Sequence, residues 1–339
     1  MSETFRPVTA ITMGDPAGIG PEIVVGTMLD KGIHECCRPF VIGSQAIMEK
    51  AAKVLGKELK YNQISDPSEA KYEYGVIDIM ETGDYDTDSI EWGKVQKLAG
   101  QMAIDWIMKS IELGMAGKID AVSPSPIHKG AIKLIGIKEP GHTEIYQHAT
   151  NSPYALTMFS CHKLRVFFVS RHMSLVDACH YATKDVILDN VINIDKELRK
   201  VGIENPLIAV AGLNPHNGDN GLFGTEEITD IGPAVEAAKE RGINCVGPCP
   251  ADSVFHIGKS GKYDAILSLY HDQGHIACKT LDFEKSVTLT FGLPFIRSSV
   301  DHGTAFDIAG KGIAGSISLI ESTKVVAEYA AKQHERSEK

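Results

Sequence analysis

The sequence of 339 residues lacks the features of membrane-spanning, secreted and nucleic-acid-binding proteins. No apolar run approaches the roughly 20 residues that a membrane span requires, and the first residues lack the charged and then apolar regions of a signal peptide. Basic residues are outnumbered, since 34 Lys and Arg stand against 44 Asp and Glu and the net charge is −10. A general nucleic-acid binder needs a basic face. We therefore expect a cytoplasmic protein with neither nucleic-acid nor membrane partners.

Cysteine is also sparse, and its spacing predicts neither a disulfide framework nor a zinc site. The chain has seven cysteines, whose close pairs are "CC" at 36–37 and "CVGPC" at 245–249. The second pair has a C-x3-C spacing without the matching second pair that a zinc motif requires. We expect these residues to be thiols of the core or of loops.

The glycine-rich stretch "ITMGDPAGIGPEI" (11–23) lacks both common signatures of phosphate binding. Its glycines Gly14, Gly18 and Gly20 are spaced G-x-x-x-G-x-G, whereas the dinucleotide fingerprint is G-x-G-x-x-G. No Lys-Ser/Thr pair follows, which excludes a P-loop here. The stretch instead predicts a tight turn from a strand into a helix with Pro21 in its first turn.

What the chain does contain is an alternation of apolar, β-branched runs with stretches of helical periodicity. The runs predict strands at 8–13, 39–43, 74–80, 119–125, 156–160, 164–170, 207–213, 263–270 and 286–293. Helical spacing predicts helices at 21–29, 91–115, 183–200, 225–241 and 316–333. Continuous apolar strands between helices are typical of an α/β protein with largely parallel, buried sheets. The length predicts two domains.

Three histidines directly follow predicted strands. They are His172, His216 and His271, and ligands of open α/β sheets collect beyond the carboxyl ends of the strands. Three neutral imidazoles with an open position suit a divalent metal such as zinc, cobalt, nickel or iron. No short spacing ties the three together, so a metal site and three separate structural histidines both remain open. Asp219 and Asp272 are close in sequence and could orient the ligands or face a substrate.

Other loop residues could bind an anion. In "GHTEIYQHA" (141–149) Thr143 is a candidate N-cap, and a helix N-terminus attracts phosphate or carboxylate. Lys279 lies in "HIACK", and Arg297 follows a predicted strand among apolar neighbours. A guanidinium can give phosphate or carboxylate two parallel hydrogen bonds. The small residues of 301–314 let a backbone approach a flat ligand closely, although a plain loop fits them as well.

Together, seven motifs resemble the 4-hydroxythreonine-4-phosphate dehydrogenase family over nearly the whole chain. They are "ITMGDPAGIGPEI", "PGHTE", "GLNPHNG", "NGLFG", "GPCPADSVF", "YHDQGH" and "GLPFIRSSVDHGTAFDIAG". The family is related to the isopropylmalate and isocitrate dehydrogenases, and the resemblance implies their fold, two α/β/α domains around a cleft. Residues 1–125 plus 290–339 would form the first domain, with much of the cofactor site. Residues 126–289 would form the second, with the metal histidines and the dimer interface.

The resemblance also implies a cofactor, NAD, held in a non-Rossmann manner, with NADP left open. Much of its site falls on the segment around 292–310, with contacts at Gly292, Leu293, Pro294, His302, Gly303, Thr304 and Asp307. The stretch 11–23 is then a structural turn near the cleft.

The remaining implied roles concern a metal and a small phosphorylated substrate. One divalent ion per site (Zn, Co, Mg, Mn, Ni or Fe) would be bound by His172, His216 and His271, contributed by two subunits of a homodimer. The implied substrate-binding residues are His142, Thr143, Lys279 and Arg297. The candidate catalytic residues are His142, Lys279, Asp252 and Asp272.

The implied reaction is NAD-dependent oxidation of the C3 hydroxyl of a 4-phosphorylated four-carbon hydroxy acid, followed by decarboxylation. C2 carries nitrogen in 4-hydroxy-L-threonine 4-phosphate, a precursor for pyridoxal phosphate, and oxygen in 4-phospho-D-threonate or 4-phospho-D-erythronate. The motifs "PGHTE", "GPCP" and "YHDQGHI" resemble the second, sugar-acid branch. Thr288 stands where the family usually has Asn, and its effect on substrate choice is left open, as is that of His128.

Two further activities remain as alternatives. A dihydrodiol dehydrogenase acting on an aromatic carboxylate would keep the metal and NAD but not the phosphate. An acyl-phosphate transferase on a related fold would need neither metal nor NAD, and is the more remote alternative.

Overall fold

The computed structural model describes residues 5–337, which contain twelve β-strands and twelve α-helices. The strands are β1 (Val8–Thr12), β2 (Arg38–Ile42), β3 (Lys60–Gln63), β4 (Val76–Met80), β5 (Ala121–Val122), β6 (Leu156–Cys161), β7 (Leu164–Phe168), β8 (Ile208–Ala211), β9 (Cys245–Cys249), β10 (Ala265–Ser268), β11 (Val287–Phe291) and β12 (Ile296–Ser299). The helices are α1 (Gly20–Met28), α2 (Lys31–Cys36), α3 (Gln45–Val54), α4 (Lys97–Met115), α5 (Lys129–Lys133), α6 (His142–Ala149), α7 (Leu175–Tyr181), α8 (Lys184–Lys200), α9 (Gly232–Glu240), α10 (Ala251–Gly258), α11 (His271–Leu281) and α12 (Ile317–Ser337).

The predicted strands are all confirmed, and three strands were not predicted. These are β3, β9 and β12. The "CVGPC" segment, expected in the core or a loop, forms β9, and its cysteines are free thiols. Arg297 follows the predicted strand at 286–293, which is β11, and lies within the unpredicted β12. With four residues, β12 is too short for a recognisable alternation of polar and apolar side chains.

The predicted helices are confirmed except for their bounds. The helix expected at 91–115 begins only at Lys97, because Gly93 adopts a φ of 75° and Gln96 is extended. The segment 225–241 is a short π-helix, Glu227–Ile231, that continues into α9. Within residues 5–337 no helix combines the length and apolar character needed to cross a bilayer.

The chain divides into two compact units. Unit 1 comprises the residues up to Ala155 together with Val287–His334, and unit 2 comprises Leu156–Ser286 and the residues from Glu335. The largest difference from the predicted domains is at residues 126–155, which belong to unit 1. The reason is burial, since Ile132, Ile145 and Tyr146 of this segment lie in the hydrophobic core of unit 1.

In unit 1 the strands follow the order β3-β4-β2-β1-β5-β12-β11. The pairs are parallel except for β11 with β12, which is antiparallel. In the register, Ile11 of β1 lies opposite Val41 of β2, and Ala121 of β5 lies opposite Ile296 of β12. The carboxyl ends of β1, β5 and β12 are therefore neighbours along one edge of the sheet.

In unit 2 the order is β6-β7-β10-β8-β9. Strands β7, β10, β8 and β9 are parallel, and β6 is antiparallel to β7. The core here includes Phe159, Val166, Ile266 and Cys278. The parallel strands again bring the residues that follow them to one edge of the sheet.

Candidate functional site

The segments that follow β1, β5 and β12 meet at the edge of the unit 1 sheet where these three strands end. The backbone N–H of Asp15 donates to the carbonyl of Pro126 at 2.8 Å, and the N–H of Ile19 donates to the carbonyl of Thr304 at 3.0 Å. These bonds join the "GDPAGIGPE" turn to the other two strand-end segments. Such an edge is where open α/β sheets bind ligands.

A buried arginine lies beside this edge. The side chain of Arg297 is 2% exposed, and its Nη1 donates to Oγ1 of Thr290 at 2.8 Å and to Oγ1 of Thr143 at 3.2 Å. The guanidinium lies 5.2 Å from the centroid of the Tyr146 ring, within the range of a cation–π contact. We call His142, Thr143 and Arg297 the arginine site.

His142 contributes a half-buried imidazole to the arginine site. Its Nε2 is buried and has no hydrogen-bond partner among the described residues. Burial, and then the positive charge of Arg297, lower the pKa of His142 well below its usual value of 6.5. The ring is therefore neutral near pH 7, and Nε2 is a polar atom without a protein partner.

Thr143 is not the N-cap of α6, contrary to the prediction. Gly141 is the N-cap of α6, and Thr143 lies inside the first turn, where its hydroxyl accepts the hydrogen bond from Arg297. The expected cap was therefore wrong. Sequence alone cannot distinguish a threonine that caps a helix from one that orients a side chain of a distant strand.

Two residues that surround Arg297 were not predicted from the sequence. Tyr146 lies one helical turn after His142, and its hydroxyl is 2.7 Å from Oγ of Ser110. Thr290 lies opposite Arg297 in the antiparallel pair. A signal existed for each: the i, i+4 spacing in "HTEIY", and the alternating threonines of "VTLTF". That alternation also places Thr288 on the same face of β11 as Thr290.

The segment that was predicted to bind the cofactor is a loop of unit 1 that contacts other residues of the same unit. Residues 301–316 contain only turns and bends. Thr304 is buried, whereas Gly303 and Asp307 are exposed, and Nδ1 of His302 lies 3.1 Å from the carbonyl oxygen of Gly303. Before this loop, Gly292 has a φ of 89° and backs onto Tyr154, while Leu293 is buried and Pro294 is exposed.

The glycine-rich stretch 11–23 is a buried turn, as predicted. Every residue from 11 to 25 is buried, so the backbone here cannot cradle a phosphate at the surface. Gly18 packs against Thr304, since a Cβ on Gly18 would lie 2.8 Å from that side chain. Burial also raises the pKa of Asp15 to about 6, and its Oδ2 has no hydrogen-bond partner among residues 5–337.

In unit 2, two of the three predicted metal ligands are near each other. The rings of His172 and His271, which follow the adjacent strands β7 and β10, have centroids 5.9 Å apart. Nδ1 of His271 is 2.6 Å from Oδ1 of Asp272. If Nδ1 donates to this carboxylate, Nε2 is left as the metal-binding atom. We call His172, His271 and Asp272 the histidine site.

His216 does not join them. In the part of the chain that the structure describes, no three His, Cys, Asp or Glu side chains are arranged to hold a metal ion. His216 is exposed in a loop where it adopts a φ of 52°. The loop is anchored by the buried carboxylate of Glu227, which accepts hydrogen bonds from the backbone N–H groups of Leu213 and Asn214 at 2.8 and 2.7 Å.

The other predicted catalytic residues lie on two helices of unit 2. Asp252 is exposed in the first turn of α10. Lys279 is half-buried on α11, with its Nζ 5.6 Å from the centroid of the Phe283 ring. Asp272, in the first turn of α11, has a side chain that is 71% exposed.

The fold is that of an α/β protein, and the candidate site residues His172 and His271 directly follow parallel strands. The family model described as "Pyridoxal phosphate biosynthetic protein PdxA" matches residues 35–326. The chain belongs to this family, whose relatives are named as dehydrogenases.

Individual relatives agree with the family assignment. A protein from Symbiobacterium thermophilum, provisionally named D-threonate 4-phosphate dehydrogenase, is 49% identical over 96% of this chain and 97% of its own. The solved 4-hydroxythreonine-4-phosphate dehydrogenase from Burkholderia phymatum is 42% identical with a TM-score of 0.88, over 96% of this chain and 98% of that one. A terephthalate 1,2-cis-dihydrodiol dehydrogenase from Burkholderia xenovorans is 25% identical with a TM-score of 0.67, over 96% and 98% of the two chains.

Proposed function

We propose that the protein is an NAD- and divalent-metal-dependent dehydrogenase that oxidises C3 of D-threonate 4-phosphate and then releases CO2. The observation that carries this proposal is the arginine site, in which a buried guanidinium lies beside a neutral imidazole whose Nε2 is buried. A buried cation of this kind suits a phosphate or carboxylate. The name of the relative that is 49% identical supports D-threonate 4-phosphate in particular.

The arginine site binds and orients the anionic end of the substrate in this proposal. Arg297 is held by Thr143 and Thr290, so its remaining N–H groups have a fixed direction. His142 offers Nε2 as one further polar atom. Fixed donors of this kind orient the substrate without a cost of rearrangement during the reaction.

The histidine site supplies metal ligands in this proposal. Neutral imidazoles suit a divalent transition metal, and Asp272 orients His271 in the way that carboxylates orient metal-binding histidines. Bound metal supplies Lewis-acid polarisation of the substrate hydroxyl, and bound NAD accepts the hydride. His302, Thr304, Asp307 and their neighbours in the loop 301–316 would hold NAD.

A homodimer completes the histidine site in this proposal, with His216 contributed by a second copy of the chain. The two histidines of one chain leave the metal short of a third protein ligand. Large exposed apolar side chains occur in the same segments of unit 2 as the three histidines, and such patches mark interaction surfaces. They are Met173, Leu175, Val176, Tyr181, Leu222, Phe223, Ile228, Ile276 and Leu281.

The proposed reaction balances in two steps. The C3 hydroxyl loses its proton and C3 loses a hydride to NAD, which gives a β-keto acid. The C1–C2 bond then breaks, CO2 leaves, and a proton adds to C2. With oxygen at C2 the product is dihydroxyacetone phosphate, and with nitrogen at C2 it is an amino ketone phosphate.

NADH formation by metal-loaded protein tests the proposal. D-threonate 4-phosphate and 4-hydroxy-L-threonine 4-phosphate are supplied in parallel, with the terephthalate dihydrodiol as a third substrate because of the structural neighbour. Turnover of the first with release of CO2 is expected. Turnover of the second alone would transfer the assignment to pyridoxine biosynthesis. Turnover of the diol alone would contradict the phosphate role of the arginine site.

A further inference from the structure

Glu22 is a buried carboxylate whose two oxygens bind the backbone of the predicted cofactor loop. Its side chain is 1% exposed, Oε1 accepts from the N–H of Gly310 at 2.6 Å, and Oε2 accepts from the N–H of Gly312 at 2.8 Å. Glu22 lies in the first turn of α1, at the end of the buried glycine stretch. Both oxygens face the protein, so Glu22 does not contact a ligand directly.

The loop depends on such external contacts. Gly310 and Gly312 have φ values of 76° and 69°, a region that L side chains rarely adopt. On its other side Gly310 meets Trp92, since a Cβ added to Gly310 would lie 2.0 Å from the indole ring. The backbone at Gly310 is therefore held between the carboxylate of Glu22 and the ring of Trp92.

We propose that Glu22 is a positioning residue for NAD, acting through the 310–312 backbone. The inference rests on the proposed function, because that is what assigns NAD to this loop. A loop that is ordered before binding loses less conformational entropy when the cofactor arrives. Hydrogen bonds from two backbone amides to one carboxylate are among the stronger of their kind. The buried stretch 11–23 thus serves the cofactor as a support.

Glu22→Gln is the direct test, because the amide has nearly the same shape but turns one acceptor into a donor that faces a backbone N–H. The loss of one charge-assisted hydrogen bond predicts roughly a tenfold weaker Kd for NADH, measured by fluorescence without substrate. Faster amide hydrogen exchange is expected in a peptide covering 304–312. The KM for the phosphorylated substrate should change much less than the KM for NAD.

The matched control is Glu227→Gln in unit 2. Glu227 is also a buried carboxylate that binds two backbone amides, but it anchors the His216 loop. We expect this variant to leave the Kd for NADH and the exchange of 304–312 unchanged. Glu22→Asp keeps the charge with a shorter reach, and an intermediate Kd is expected, which preserves the test should the Gln variant fold poorly.

The outcomes separate the inference from the function on which it rests. Wild-type affinity for NADH in Glu22→Gln, with faster exchange in the loop, would overturn the positioning role and leave the proposed function intact. A wild-type protein that binds no NADH would overturn the cofactor assignment itself, and the inference with it. Weaker NADH binding in both Glu variants would show a general loss of stability and would also contradict the specific role of Glu22.

Discussion

The arginine site of unit 1 contains a buried charge, whereas the histidine site of unit 2 lies at the surface. Arg297 is 2% exposed and Nε2 of His142 is buried, but His172 is exposed and the side chains of His271 and Asp272 are 39% and 71% exposed. The side chains that contact Arg297 belong to the same chain. Of the three predicted metal ligands, one chain brings together two.

The difference has a physical consequence for each site. An enclosed charge acts through a low local dielectric, so Arg297 can attract an anion strongly without help from a second chain. Exposed imidazoles are hydrated and mobile, and they bind metal tightly only when further ligands and a covering surface fix them. A second copy of the chain supplies both in the proposed dimer, and the predictions below test this contrast.

The largest effect is expected for His271→Ala, the variant that removes a proposed metal ligand. Loss of one of three ligands should reduce kcat by about a thousandfold or more, because the polarisation of the hydroxyl depends on bound metal. Metal content per chain, measured by elemental analysis, should fall in parallel. His256→Ala, which alters an exposed histidine on α10, serves as the control and should retain metal and activity. Full metal content in His271→Ala would contradict the histidine site.

A second test asks whether another copy of the chain covers unit 2. Val176 is 65% exposed on α7, four residues after His172. Val176→Glu would bury a charge in the proposed interface, and we expect the dimer constant to weaken by about a hundredfold or more. Sedimentation equilibrium measures the change, and metal content should fall with it.

Met115→Glu is the matched control in unit 1. Met115 is 55% exposed at the end of α4, and we expect this variant to associate like the wild type. A wild-type protein that is monomeric at every concentration, yet binds metal, would contradict the shared site.

Removal of the enclosed charge should have the next largest effect. Arg297→Met is expected to lower kcat/KM for the phosphorylated substrate by about a hundredfold, since a hydrogen bond from a charged donor contributes about 1.5–3 kcal/mol. The neutral side chain should leave metal content unchanged, which separates the two sites. Arg199→Met, at an arginine 38% exposed in unit 2, should have wild-type kinetics. Equal kinetics for both variants would remove the arginine site from the mechanism.

The smallest expected effect concerns the pH dependence of stability in unit 1. The pKa of Asp15 is about 6 when folded against 3.8 ordinarily, so the folded state holds the proton more tightly. Stability therefore rises as pH falls through about 6. From about pH 8 to about pH 5 the wild type should gain roughly 1 kcal/mol of unfolding free energy relative to Asp15→Asn. Urea unfolding measures it, and parallel pH profiles for the two proteins would contradict the raised pKa.

The elements and most candidate residues were readable from the sequence because their signals are local. Nine apolar runs became strands, and His172 and His271 were identified by following strands that proved to be neighbours. Thr290 and Tyr146 were missed because their importance lies in contacts with Arg297, which is distant from Tyr146 in sequence. The placement of 126–155 depended on which core Ile132 and Ile145 enter, and no local pattern specifies that.

By itself, the sequence determined the α/β class, nine of the twelve strands and the longest helices, through periodicity and turn residues. Its glycine spacing also predicted that 11–23 is a turn from a strand into a helix, which the structure confirms. The tertiary structure alone decided that this stretch supports the 310–312 backbone, that Thr143 orients an arginine, and that His216 lies apart from the other two histidines of its chain. Each of these depends on contacts between residues far apart in the sequence, and long-range packing, rather than local propensity, selects such contacts.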